Sequence, residues 1–152
     1  MPSAGNDNRF LDVLLVEDSP GDVRLTREAF NDAKIMINLH VVSDGVAAMA
    51  FLRRENGYPN VPRPDLILLD LNLPKKDGRE VLKEIKESAA LATIPVVILT
   101  TSASESDILK SYQLHANCYI TKPVDLTGFL EVIQSIDNFW LSVVKLPREE
   151  RA

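Results

Sequence analysis

The sequence predicts an α/β fold in which five strand–helix units alternate around one parallel sheet. Three observations carry this. Short apolar runs recur along the chain: LDVLLV (11–16), INLHVVS (37–43), DLILLD (65–70), IPVVILT (94–100) and NCYIT (117–121). The stretches 13–16, 66–69 and 96–99 are continuously apolar and rich in Val, Ile and Leu, the composition of strands covered on both faces. Between the runs lie segments whose apolar residues follow helical spacing. Strict alternation of this kind calls for right-handed crossovers, with helices on both faces of the sheet.

The elements follow in order. The first strand ends in Glu17 and Asp18, within EDSPGD, a stretch suited to starting a helix. Over 21–33, Val23, Leu25, Ala29 and Phe30 keep largely to one side. The run at 37–43 is more mixed, as an edge strand would be. Over 45–55, Val46, Met49, Ala50 and Leu52 share a side. The longest break, ENGYPNVPRP (55–64), reads as a surface excursion inside the domain. The third strand delivers Asp70 to its tip, then Asn72, Pro74 and a charged turn ending in Gly78. Over 78–88, Val81, Leu82 and Ile85 recur at helical spacing. The fourth strand ends in Thr100, followed by Thr101 and Ser102. A helix over 105–115 would carry Ile108, Leu109, Tyr112 and His115. The fifth strand runs through Tyr119 to Thr121 and ends in Lys122-Pro123. A long last helix, 125–144, carries Leu126, Phe129, Ile133, Ile136, Trp140 and Val143.

Length and composition bound the function. A chain of 152 residues suits one domain, and 45% apolar residues suffice for a core. The domain is expected over 9–146, with a flexible N-terminus at 1–8 and a tail at 147–152. Net charge is −5 with no basic stripe, which argues against nucleic acid as partner. Cys118 is the single cysteine, so no internal disulfide can form, and a reducing compartment fits. MPSAGNDNRF lacks the apolar run of a signal peptide, and no stretch approaches the ~20 apolar residues of a membrane span. A soluble, cytoplasmic protein with no membrane association is expected.

In open parallel sheets, ligands bind beyond the carboxyl ends of the strands. Glu17, Asp18, Asp70, Thr100 and Lys122 all fall at such ends. Acids gathered at one rim repel one another unless a cation sits among them. Hard oxygen ligands without His or Cys point to Mg²⁺. Asp70 could then attack phosphorus and form an acyl phosphate, while Lys122 and Thr100 neutralise and hydrogen-bond the phosphoryl oxygens. Taken singly, each residue has an ordinary reading: a turn Asp, a helix-starting Asp18, a solvated Lys122, a strand-end Thr100. The combination of VEDS, LLDLNLPKKDG, ILTTS and YITKP on successive strand ends makes the functional reading far the stronger. His40 and His115 have no metal partner at suitable spacing and read as structural, and Cys118 reads as a small buried hydrophobe.

These motifs resemble those of the response-regulator receiver domain, over about residues 10 to 140. The resemblance implies a flavodoxin-like (βα)₅ fold with strand order 2-1-3-4-5. It implies that Asp70 accepts a phosphoryl group from a histidine kinase's phosphohistidine. Asp18, Asp70 and the backbone carbonyl of Asn72 would hold Mg²⁺ directly, with Glu17 acting through a metal-bound water. Lys122 and Thr100 would contact the phosphoryl group, and the Lys122–Pro123 bond would be cis. Thr100 and Tyr119 would form the switch, read out on the fourth helix, fifth strand and fifth helix. Asn72 and Ser102 stand where receivers tune phosphate loss.

LLDLNLPKKDGREVL, PVVILTTS, SYQLHANCYITKP and IDNFWL further resemble stand-alone regulators paired with bacterial phytochrome kinases. That implies a light-sensing histidine kinase as partner; a phosphorelay intermediate, or a regulator served by a non-phytochrome sensor, is the alternative. It also implies a homodimer through the last helix, anchored by Phe139, Trp140 and Leu141. The protein would not be a turnover enzyme; it would catalyse only its own phosphoryl gain and loss. Three rivals fit less well. A haloacid-dehalogenase-type phosphatase needs an acid where Asn72 stands, and its nucleophile on the first strand. A flavin or nucleotide carrier needs a Gly-rich or hydroxyl-rich loop where EDSPGD places acids. A degenerate receiver would lack phosphorylation residues that are present here.

Overall fold

The computed structural model describes residues 10–32, 36–101, 118–122 and 127–128. Within them the elements are β1 (Leu11–Val16), α1 (Pro20–Asp32), β2 (Ile37–Val42), α2 (Gly45–Arg53), β3 (Leu66–Asp70), α3 (Gly78–Glu87), β4 (Val96–Thr100) and β5 (Cys118–Thr121). The five strands form one sheet in the order β2-β1-β3-β4-β5, and every neighbouring pair is parallel. This is the doubly wound order expected above.

Strand chemistry follows position in the sheet. β1, β3 and β4 lie inside it, and nearly all their residues are buried. β2 is at the edge and is mostly half-buried or exposed, with only Val42 buried, which is why its sequence is mixed. Side chains alternate between two cores. Leu14, Val16, Ile67, Leu69, Val96 and Ile98 point to the face covered by α2 and α3. Val13, Leu15, Leu66, Leu68, Val97 and Leu99 point to the face covered by α1.

The helices start on side-chain caps. Asp22 N donates to Ser19 Oγ at 3.3 Å at the head of α1. Ala47 N donates to Asp44 Oδ1 at 2.7 Å at the head of α2, and Arg79 N to Asp77 Oδ1 at 2.7 Å at the head of α3. Val81, Leu82 and Ile85 are the buried face of α3, as their spacing predicts.

Two helix-face expectations are corrected. Leu25 is 39% exposed; the buried stripe of α1 is Thr26, Ala29 and Phe30, and Leu25 lies about 100° round the helix from Thr26. Val46 is 52% exposed, because its neighbour Gly45 is turned inward. A Cβ at Gly45 would stand 2.3 Å from the Lys76 carbonyl oxygen, so α2 packs there backbone to backbone.

His40 has the structural role expected of it. Its Nε2 lies 3.0 Å from Asp12 Oδ1, and its ring centroid lies 5.4 Å from that of Phe51. The helices expected at 105–115 and 125–144 lie outside the described residues, as do His115, the Pro123 peptide bond and the termini at 1–8 and 147–152; Cys118 is described for its backbone alone. Among the described residues, no helix is long and apolar enough to cross a membrane.

Candidate functional site

A parallel sheet puts all its carboxyl ends on one rim, and register decides which residues reach it together. Glu17 N donates to the Val42 carbonyl at 3.0 Å, extending the pairing of β1 one residue past its end. Glu17 is 2% exposed, whereas Asp18 is exposed. Asp70 closes β3, pairs with Leu99 and is 3% exposed. Thr100, one residue beyond Leu99, is fully buried at the end of β4. Lys122 N donates to the Thr100 carbonyl at 2.7 Å, so the pairing of β5 on β4 holds the lysine beside these acids.

The Lys122 ammonium is the hub. Its Nζ lies 2.7 Å from Glu17 Oε1, 3.0 Å from Asp22 Oδ2 and 3.1 Å from Asp70 Oδ2. The contacts to Asp22 and Asp70 are hydrogen bonds. The Glu17 contact is an ion pair off the hydrogen-bond direction, so Glu17 Oε1 is buried without a hydrogen-bond partner. The other Glu17 oxygen accepts from Ser19 N at 3.2 Å. Asp70 Oδ1 accepts from Asn72 N at 3.1 Å, which fixes the carboxylate and the chain leaving it.

These contacts set the charges. Burial pushes the Glu17 carboxyl up to about 7; Lys122 opposes the shift, and repulsion from Asp70 adds to it. Burial works against the Lys122 charge, but Glu17, Asp22 and Asp70 outweigh it and hold the ammonium above the usual lysine range. Burial also raises the Tyr119 hydroxyl.

One carboxylate oxygen each from Glu17, Asp18 and Asp70 gathers within 4.8 Å of the others. A hard oxygen set of this kind, with an orphaned buried acceptor among its members, suits a divalent cation such as Mg²⁺ or Mn²⁺.

The loop after Asp70 is held by tight backbone packing. A Cβ at Gly78 would stand 2.4 Å from the Asp70 carbonyl oxygen, and Gly78 N donates to the Leu71 carbonyl at 3.2 Å. Only glycine lets α3 begin this close to the end of β3. Lys75 turns the loop with φ +66°, and its Nζ lies 3.6 Å from Asp44 Oδ2.

The structure thus brings Glu17, Asp18, Asp70 and Lys122 together, with Thr100 on the adjoining strand end. Asn72 is exposed and adjoins the site through its backbone. Tyr119 is half-buried and packs against the core beneath α2 and α3. Ser102, Phe139, Trp140 and Leu141 lie outside the described residues. Sequence reasoning passed over Asp22 and Gly45. The signal for Asp22 was present in EDSPGD, an acid one helical turn beyond Asp18. Gly45 offered no signal, because its neighbour Lys76 is distant in sequence.

A family model described as the response regulator receiver domain matches residues 13–134. The chain belongs to this family. Among relatives, response regulator Rcp1 of Synechocystis sp. is 55% identical over 135 residues, spanning 89% of this chain and 92% of Rcp1. A solved structure of the Mn²⁺-bound form of Rcp1 has TM-score 0.71 at 54% identity, covering 86% of this chain and 94% of that one. The phosphorylated cyanobacterial phytochrome response regulator RcpA gives TM-score 0.73 at 52% identity, covering 88% and 96%. The bacteriophytochrome response regulator AtBRR gives TM-score 0.81 at 40% identity, covering 87% and 96%. The receiver described here therefore carries the acids and lysine of its rim on a response-regulator fold.

Proposed function

We propose that this response regulator is a phosphorylation switch whose acceptor is Asp70. The observation that carries the reading is the convergence of Glu17, Asp18 and Asp70 with the Lys122 ammonium at one rim. An Asp70 carboxylate oxygen attacks phosphorus, forming the O–P bond. The P–N bond of a kinase phosphohistidine breaks, and its electron pair returns to the imidazole, which takes up a proton. Lys122 and the Thr100 hydroxyl meet the phosphoryl oxygens.

Mg²⁺ is the proposed cation, held by Asp18, Asp70 and the Asn72 carbonyl directly and by Glu17 through water. When bound it offsets the charge that the phosphoryl group brings to an acidic rim. The protein's own groups do the rest, so gain and loss of phosphate are self-catalysed. Thr100 and Tyr119 form the proposed switch, biased by the new charge on Asp70.

The proposed donor is a histidine kinase of the phytochrome type. Its support is the likeness to RcpA and AtBRR, whose descriptions name phytochrome and bacteriophytochrome regulators. A cytoplasmic location and a homodimer anchored by Phe139, Trp140 and Leu141 belong to the same reading, and sedimentation at falling concentration tests the dimer.

The deciding experiment is radiolabel transfer from a phosphorylated histidine kinase, or from labelled acetyl phosphate, with Mg²⁺ present. The parent protein labels and Asp70→Asn does not. Equal labelling of the two rejects Asp70 as acceptor.

A further inference from the structure

Lys122 faces three carboxylates, of which two belong to the proposed phosphoryl chemistry and one does not. Asp22 lies outside the group whose oxygens could share a metal, yet its Oδ2 is 3.0 Å from Lys122 Nζ. It is the most exposed of the three acids, at 33% of its side chain against 1% for Glu17 and 4% for Asp70.

Its position is built. Asp22 stands in the first turn of α1, with its N–H on Ser19 Oγ at 3.3 Å and its carbonyl accepting from Thr26 Oγ1 at 3.0 Å. Thr26 is buried, so the backbone that presents the carboxylate is fastened on both sides of the residue.

An ammonium has three donors; here two hydrogen-bond to Asp22 and Asp70, and Glu17 Oε1 stands 2.7 Å away as an ion pair. A phosphoryl group arriving on Asp70 needs at least one of those donors. Glu17 and Asp70 can pass their charge to a cation. Asp22 has no such substitute, because it is not among the clustered ligand atoms.

We propose that Asp22 is a positioning residue of the phosphoryl site: its carboxylate holds the Lys122 ammonium toward α1 in the unphosphorylated protein and competes with an incoming phosphoryl group for it. This rests on Asp70 being the acceptor. Asp22 therefore restrains phosphoryl binding, the opposite of what a merely structural contact would do, since loss of such a contact loosens the site. Removing the charge frees a Lys122 donor and tightens the hold on the phosphoryl group.

The test uses the full chain with saturating Mg²⁺ and beryllium fluoride as the phosphoryl mimic, with affinity read by fluorine NMR or calorimetry. Asp22→Asn is expected to bind the mimic about fivefold more tightly than the parent, the scale of one partly exposed ion pair. Asp22→Ser, which keeps a small polar side chain near the helix start, is expected to behave likewise and decides the matter if the Asn variant fails to fold. Affinity equal to or weaker than the parent's in either folded variant overturns the role of Asp22. If the parent binds the mimic no better than Asp70→Asn does, the acceptor reading itself falls, which is a separate result.

Discussion

Lys122 Nζ lies 2.7 Å from Glu17 Oε1, so the ammonium at the end of β5 is the nearest counter-charge to a buried acid at the end of β1. Breaking a buried ion pair from one side leaves the other charge uncompensated. Lys122→Met should therefore destabilise the metal-free protein by about 3 kcal/mol in urea unfolding. Added Mg²⁺ should recover part of the loss, because a cation can take over from the ammonium. A variant as stable as the parent in EDTA would show that Glu17 does not depend on this lysine.

Divalent cation should stabilise the folded protein alone, since the three clustered oxygens exist only at the assembled rim. At about one hundred times its Kd, Mg²⁺ should add about 2.7 kcal/mol, read as a rise in Tm. Asp18→Asn removes an exposed ligand at little structural cost and should lose most of that rise. An unchanged Mg²⁺ response in Asp18→Asn would remove Asp18 from the ligand set.

Gly78 has no room for a side chain, with the Asp70 carbonyl oxygen 2.4 Å from where a Cβ would sit. Gly78→Ala should cost about 1–3 kcal/mol through overpacking. It should also slow labelling of Asp70, because the backbone that must shift is that of the proposed acceptor. Thermal melting and acetyl phosphate labelling check the two parts separately; normal labelling in a destabilised variant would uncouple packing from the site.

Glu84 on α3 supplies a pH test away from the rim. Lys76 holds its carboxyl below the ordinary 4.5, with Arg53 adding to the effect. Arg53 Nη2 donates to Glu84 Oε1 at 3.1 Å, and Lys76 donates to the other oxygen. A lowered carboxyl pKa contributes stability that is complete above the unfolded value and lost as pH falls through the folded one. The contribution should thus be full above about pH 4.5 and fade below it, and in a partly exposed pair it should stay under about 1 kcal/mol. Glu84→Gln should flatten that part of the stability–pH curve; an unchanged slope below pH 4.5 would mean the ion pairs contribute nothing.

Among the described residues, the sequence by itself determined the strand and helix units, because period and composition are local properties. Continuous runs such as LILLD report burial on both faces, and the mixed run INLHVV reports an edge. It also determined which chemical groups stand at strand ends, since the parallel arrangement leaves one rim for all of them. It misplaced Leu25 and Val46, because a helix turns its face to whatever neighbour packs closest, and for α2 that neighbour is the Lys76 backbone.

Tertiary structure alone decided which groups meet. Strand order 2-1-3-4-5 and the Thr100–Thr121 register put Lys122 among Glu17, Asp22 and Asp70. Coulombic and hydrogen-bond contacts depend on distances of a few ångströms, and no local pattern encodes the distance between residues carried on different strands and helices.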